Sequence, residues 1–159
     1  MTVTIRPATP DDAATMLRFI RELAAYEREP DAVETTEPML RDALFGASPA
    51  AEALIAERDG ESIGFALFFH TFSTWTGRRG LWLEDLYVTP EARGSGAGAA
   101  LLRALAGLAL DRGCPRLEWT VLDWNTPALE FYRAKGAVPQ DEWTTQRVTG
   151  AALQALAGR

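Results

Sequence analysis

The run from Leu83 to Leu102 (Leu-Glu-Asp-Leu-Tyr-Val-Thr-Pro-Glu-Ala-Arg-Gly-Ser-Gly-Ala-Gly-Ala-Ala-Leu-Leu) constrains this chain more than any other stretch. Leu, Trp, Tyr and Val between Leu81 and Val88 predict a strand. Thr89-Pro90 ends it, Arg93 follows, and Gly94, Gly96 and Gly98 lead into a helical pattern from about Gly96 to Arg112. Glycines clear side chains away so that backbone N–H groups can approach a phosphate. The helix N-terminus adds unsatisfied donors and a partial positive charge. A diphosphate cradle is the natural reading; a glycine turn with no ligand is its plain alternative. Gly94 to Ala99 also fits G-x-G-x-x-A, the dinucleotide fingerprint. That motif belongs after the first strand of a larger doubly wound sheet. Here several strand patterns precede it, and too little chain follows. The absence of Lys-Ser or Lys-Thr after the glycines excludes a Walker loop.

The rest of the chain places this turn in a mixed sheet. Val3 and Ile5 alternate with polar neighbours, as in a short strand. Thr9-Pro10-Asp11-Asp12 reads as a helix start, with a Thr cap, Pro at the first position and acids at the positive end of the dipole. Ala13, Met16, Leu17, Ile20, Leu23 and Ala24 continue it at helical spacing, to an end near Tyr26 to Arg28. A second helix is predicted from Glu37 to Phe45, stopped by Gly46. Ala53 to Arg58 and Ser62 to Thr71 read as strands around the hairpin signal Asp59-Gly60-Glu61. After the glycine turn and its helix, Gly113 and Pro115 lead to a strand from Arg116 to Leu122. Asn125 caps a helix through about Ala134, closed by Gly136. Trp143 to Val148 is predicted as a last strand and Ala151 to Leu156 as a terminal helix. The order is β-α-α-β-β-β-α-β-α-β, an α/β mixed sheet with helices on its faces. With no repeat or linker, residues 1–159 read as a single domain.

Composition excludes several function classes. Hydrophobic residues at 47% and charged residues at 24% fit a globular chain, not a disordered one. A net charge of −6 argues against nucleic acid as a partner and favours a cationic one. The amino-terminal residues lack the apolar core of a signal peptide, and the most apolar stretch, Ala97 to Leu110, is too short for a membrane span. A cytoplasmic chain with no membrane partner is the expectation. Cys114 is the only cysteine and His70 the only histidine, so no intrachain disulfide or Cys/His zinc cluster can form and no metal is expected. His70, in a strand pattern, is a poor triad member, and Cys114 reads as a buried small hydrophobe.

Val88-x-Pro90-x-x-Arg93-Gly94-x-Gly96-x-Gly98 resembles the acetyl-CoA signature of the GCN5-related N-acetyltransferase superfamily, and the element order matches that fold. Further blocks resemble its diamine acetyltransferases, especially the thialysine N-epsilon-acetyltransferases. These are Ile5-Arg6-Pro7-Ala8, Arg21-Glu22-Leu23-Ala24-x-Tyr26-Glu27, Ser73-Thr74-Trp75-x-Gly77-Arg78, Leu83-Glu84-Asp85, Val121-Leu122-Asp123-Trp124-Asn125 and Tyr132-x-x-x-Gly136-Ala137. They cover most of the chain in order.

The resemblance implies acetyl-CoA as co-substrate, a small-molecule primary amine as acceptor, and a homodimer. It implies that backbone groups of Leu86, Tyr87 and Val88 bind the pantetheine arm like an added strand. Gly94, Ser95, Gly96, Ala97, Gly98 and Ala99 would hold the diphosphate with Arg93 alongside, and Asn125, Thr126, Pro127 and Ala128 would line the cofactor's far side. Tyr132 would stand near the thioester sulfur and Glu84 would face the amine. Tyr26, Glu27, Ser73 and Trp75 become substrate-contact candidates.

Acetyl transfer gives these positions physical roles. A lysine-like amine has a pKa of about 10.4, so only about one molecule in a thousand is neutral near pH 7.4. Glu84 can attract the ammonium and take its proton through water, while Tyr132 protonates the departing thiolate. A backbone N–H near Val88 can polarise the carbonyl. Strand alternation puts Asp85 on the opposite face from Glu84, leaving it to structure or positioning. The dull competitors are a solvated Glu84 and a Tyr132 that merely packs. Trp82, Trp119, Trp124 and Trp143 read as core or edge aromatics. Polyamine-acetylating relatives carry an acid at the position of Ser73, so Ser73 tilts the acceptor towards a lysine analogue. An acyl-CoA-binding regulatory module without turnover, and an acetyltransferase acting on protein amines, are the alternative readings.

Overall fold

The computed structural model describes residues 2–159. Its contacts divide the chain into two compact units, Met1–Thr120 and Val121–Arg159, taken in turn below.

The first unit is built on a five-stranded sheet in sequence order: β1 (Val3–Pro7), β2 (Glu52–Arg58), β3 (Glu61–Ser73), β4 (Arg78–Val88) and β5 (Leu117–Glu118). The first three pairings are antiparallel, and β4 pairs with β5 in parallel. Asp59 and Gly60, both at positive φ (54° and 77°), make the two-residue turn between β2 and β3, the geometry that Asp-Gly favours. Arg116 to Leu122 contributes only Leu117 and Glu118 to the sheet, since only Leu81 and Trp82 of β4 pair with it.

Strand alternation sorts the core into two layers. Ile55, Phe65, Leu67 and Tyr87 join Met16, Leu17 and Phe19 of α1 (Ala13–Tyr26) and Leu40 and Leu44 of α2 (Glu37–Phe45). Phe19 lies against Phe65 and Tyr87, each at 5.7 Å between ring centroids. Leu54, Ala56, Ala66 and Phe68 are buried on the other face, where α3 (Ala97–Asp111) supplies Leu101 and Leu105. Arg112, just past α3, places its guanidinium over the Phe68 ring, grips Glu52 through two hydrogen bonds of 2.7 and 2.9 Å, and sits 3.3 Å from half-buried His70. Cys114, whose N–H donates to the Ala109 carbonyl, is buried beside the end of α3.

The start of α1 follows its sequence signals closely. Pro10–Asp12 forms a single tight turn that runs into the helix. Buried Asp12 accepts from the Thr9 N–H (2.7 Å) and from both terminal nitrogens of Arg6 (2.8 and 2.9 Å). That arginine holds the Asp12 carboxyl below the usual carboxylate range. At the far end, Arg28 turns the chain in the left-handed region.

The second unit holds α4 (Thr126–Ala134) and α5 (Gly150–Leu156). Asn125 caps α4, its side-chain oxygen accepting from the Ala128 N–H at 3.4 Å, and Gly136 at φ 95° follows the helix end. The strand predicted at Trp143 to Val148 does not form. That segment joins no ladder, and a strand is defined by the neighbour that satisfies its backbone groups. Trp124 and Trp143 are exposed, Trp143 at 69%, so neither belongs to the core. Trp82 and Trp119 are half-buried.

Candidate active site

The carboxyl half of β4 and the turn after it carry most of the candidate residues. Opposite β3, the ladder pairs Leu67 with Asp85 and then Phe68 with Leu83, so Glu84 is the extra residue of a β-bulge. Strict alternation therefore fails at this point, and the expected opposition of Glu84 and Asp85 does not apply. Glu84 is exposed and Asp85 half-buried. Because Asp85 pairs with Leu67, it lies on the sheet face covered by α1 and α2. Burial first, then the negative charges of Glu84 and Glu27, push the Asp85 carboxyl up to about 6. Burial also raises Glu27, the residue that ends α1. Three carboxyl groups thus share one neighbourhood, and at least one holds its proton more tightly than a solvated acid. Such a neighbourhood attracts a cation and can accept a proton from it.

Leu86, Tyr87 and Val88 complete β4. Tyr87 turns its ring into the core, and its hydroxyl donates to Glu22 of α1 at 2.8 Å. Burial and that acceptor push the Tyr87 phenol up to about 12. Only its backbone can serve a ligand. β5 pairs with β4 no further than Trp82, so the ladder on that side stops before the bulge. A strand edge released from its ladder is a template for an extended ligand.

Pro90–Ala92 forms one tight turn, and then the glycines act. Gly94 (φ 80°) and Gly96 (φ 87°) both lie in the left-handed region, with open space where a Cβ would stand. Conformation, not crowding, requires glycine at these two positions. Gly96 caps α3, and Ser95 Oγ accepts from the Ala97 N–H at 3.3 Å. The N–H groups of Gly98 and Ala99, in the first turn of this 15-residue helix, have no acceptor within it. This suits an anionic ligand such as a diphosphate. Exposed Arg93 lays its guanidinium 5.5 Å above the Tyr26 ring, which joins the glycine turn to the end of α1.

Ser73 and Trp75 lie elsewhere. Ser73 ends β3 opposite Arg78, six residues before Glu84 on β4, or roughly 20 Å of strand. Its hydroxyl accepts the N–H groups of Trp75 and Thr76, each at 3.2 Å, and lies 3.4 Å from an Arg116 nitrogen. Trp75 is 80% exposed at the turn. Asn125, Thr126, Pro127, Ala128 and Tyr132 belong to the second unit. There Asn125 is buried at the N-cap of α4, Thr126 to Ala128 form its first turn, and the Tyr132 ring meets Phe131 edge-on at 5.4 Å.

Two features escaped the sequence reading. One is the bulge at Glu84, which changes the setting of Asp85. The other is an open groove of about 390 Å³ on the α1/α2 face, lined by Met39, Leu40, Ala43 and Leu44 of α2, by Leu67 of β3 and by Glu34. Its residues are scattered between positions 34 and 67, so no local pattern announces it. Among the described residues, no group of three or more His, Cys, Asp and Glu is placed to hold a metal ion. No helix among the described residues is long and apolar enough to cross a membrane.

The mixed sheet, with its fourth strand leading through a glycine turn into the α3 N-terminus, is the architecture expected of an acyltransferase, and the relatives agree. Residues 17–137 match the acetyltransferase (GNAT) family, and the chain belongs to it and is an N-acetyltransferase. It is 42% identical to the thialysine N-epsilon-acetyltransferase of Bos taurus, over 99% of this chain and 98% of that one. With the thialysine N-epsilon-acetyltransferase of Caenorhabditis elegans it shares 38% identity, over 94% and 93% of the two chains. Among solved structures it resembles an integron cassette protein from the mobile metagenome of Vibrio cholerae, at 28% identity and a TM-score of 0.82, covering 100% of this chain and 99% of that one.

Proposed function

We propose that this protein transfers an acetyl group from acetyl-CoA to the terminal primary amine of a lysine-like small molecule, directly and without an acetyl-enzyme. The observation that carries this reading is the bulge at Glu84, which sets Glu84 beside Asp85 one strand-end before the glycine turn. The relatives named for thialysine support the acceptor class.

The diphosphate of acetyl-CoA lies on Gly94 to Ala99, with Arg93 beside it, and the pantetheine arm runs along the backbone of Leu86, Tyr87 and Val88. Asn125, Thr126, Pro127 and Ala128 are further cofactor contacts proposed from the family resemblance alone. The thioester supplies the activated acetyl carbon. Glu84, helped by the negative field of Asp85 and Glu27, draws in the ammonium and takes one proton through water. The freed nitrogen lone pair attacks the carbonyl carbon, a C–N bond forms, and the C–S bond breaks. Tyr132 gives its proton to the departing thiolate. Tyr26 and Glu27 contact the acceptor at the end of α1. Ser73 and Trp75 meet a longer or larger acceptor, and Arg116 beside Ser73 disfavours a distal ammonium there, which supports lysine-like amines over polyamines. A cytoplasmic homodimer completes the proposal, the lone buried thiol fitting a reducing compartment.

The test is thiol release from acetyl-CoA with lysine, thialysine, spermidine and a lysine-containing peptide. Turnover with the free lysine analogues is the expected result. Glu84→Gln and Tyr132→Phe should each lower kcat by roughly 10²-fold or more, the usual scale for a lost general base or acid. Turnover indifferent to both changes, or confined to the peptide, would overturn it.

A further inference from the structure

We infer that Tyr26, the last residue of α1, is a positioning residue for the cofactor: its ring holds the Arg93 guanidinium in place to receive the diphosphate of acetyl-CoA. The inference rests on the acetyl-transfer reading above and adds to it the group that prepares the anion site.

Tyr26 stands on a locked helix end. Arg28 adopts the left-handed conformation at φ 65°; its N–H donates to the Ala25 carbonyl at 3.1 Å, and that of Glu29 donates to the Ala24 carbonyl at 2.9 Å. These are the two bonds of a Schellman closure, which fixes where α1 stops. One turn earlier on the same helix face, Glu22 accepts the Tyr87 hydroxyl at 2.8 Å and ties α1 to the end of β4. Tyr26 is 41% exposed and does not serve as a core aromatic. Arg93 has the opposite character: it is exposed, lies in a turn, and carries a long side chain with several rotatable bonds. Such a side chain loses rotamer freedom when it grips a ligand. The Tyr26 ring, 5.5 Å from the guanidinium, removes part of that loss before the ligand arrives. A ring can do this without competing with the anion. It attracts the cation through its face, neutralises no charge and takes up no N–H donor as a carboxylate would. Among the described residues, no Asp or Glu forms an ion pair with Arg93. The guanidinium therefore keeps its whole charge for a diphosphate, beside the N–H groups of Gly98 and Ala99 in the first turn of α3.

The test is calorimetric titration with CoA, alongside turnover with acetyl-CoA and with S-acetylpantetheine, which carries the thioester but no diphosphate. Tyr26→Leu should raise Kd for CoA by roughly fivefold, the scale of one cation–π contact at a partly exposed site. Tyr26→Phe keeps the ring and should hold Kd within about twofold of the wild type. In an Arg93→Ala background, Tyr26→Leu should change Kd no further, because the two side chains act as one unit. Among the donors, kcat/KM for S-acetylpantetheine relative to acetyl-CoA should rise in Tyr26→Leu by the same factor, since only the donor with a diphosphate uses Arg93. That ratio is blind to any contact Tyr26 makes with the amine. CoA binding unchanged in Tyr26→Leu, weakened as much in Tyr26→Phe, or weakened equally with and without Arg93 overturns the assignment and leaves the acetyl-transfer reading standing. A wild type that does not bind CoA overturns both. If Tyr26→Leu fails to fold, Tyr26→Gln, a polar side chain at this exposed helix end, carries the same comparisons.

Discussion

Asp85 is the residue at which the sequence pattern and the structure part company most usefully. In an unbroken strand it would point away from Glu84, and its charge would concern only packing. The bulge instead pairs it with Leu67 and leaves it half-buried among like charges, with its carboxyl pushed up to about 6. Its native form keeps a proton that the unfolded chain releases near the ordinary 3.8. Stability linked to this group is whole below about 3.8, falls as pH rises, and is gone above about 6. Asp85→Asn should therefore stabilise the fold by up to about 3 kcal/mol at pH 8, and the gain should disappear between pH 6 and pH 4. Urea unfolding at several pH values measures this directly. The same substitution should depress kcat/KM for amines, because it removes a charge proposed to hold the ammonium. Gain in stability with loss of activity would mark Asp85 as a site residue held in place at a cost.

At the scale of elements, the glycine turn and α3 form one device, in which two left-handed glycines aim a helix N-terminus. Gly96→Ala forces a side chain into that conformation, and should cost about 1 kcal/mol of stability. It should also raise KM for acetyl-CoA much more than KM for the amine, which steady-state kinetics with each substrate varied in turn will separate. Elements of this kind were legible in the sequence because their causes are local. Thr9-Pro10 starts α1, Asp59-Gly60 turns β2 into β3, and Gly94 and Gly96 open α3, each through the dihedral demands of a few adjacent residues. The bulge at Glu84 was not legible, since it exists only as a mismatch with β3. The groove was not legible either, as it needs α2 and Leu67 brought together by packing. The segments Arg116 to Leu122 and Trp143 to Val148 have strand-forming residues, yet only Leu117 and Glu118 find a ladder. Propensity proposes a strand, and a neighbour with free backbone groups decides whether it forms.

For the whole molecule, a net charge of −6 acts on both substrates at once, with opposite sign. On the proposed reading a cationic acceptor is drawn towards the protein, while acetyl-CoA meets a small positive region made by Arg93 and the helix N-terminus. Raising salt from about 20 mM to 0.5 M shortens the screening length to a few ångströms. KM for a dicationic amine should then rise severalfold and KM for a neutral-headed amine much less; a salt response identical for both would contradict this account. One more property of the whole chain follows from Cys114, which is 4% exposed in the folded protein. Disulfide reagents that count free CoA will find no competing sulfhydryl on the native enzyme, so turnover can be read continuously without a blank for the catalyst. When the protein unfolds, that one hidden group becomes titratable. A single colorimetric reagent then serves as a clock for catalysis below the melting temperature and as a gauge of denaturation above it.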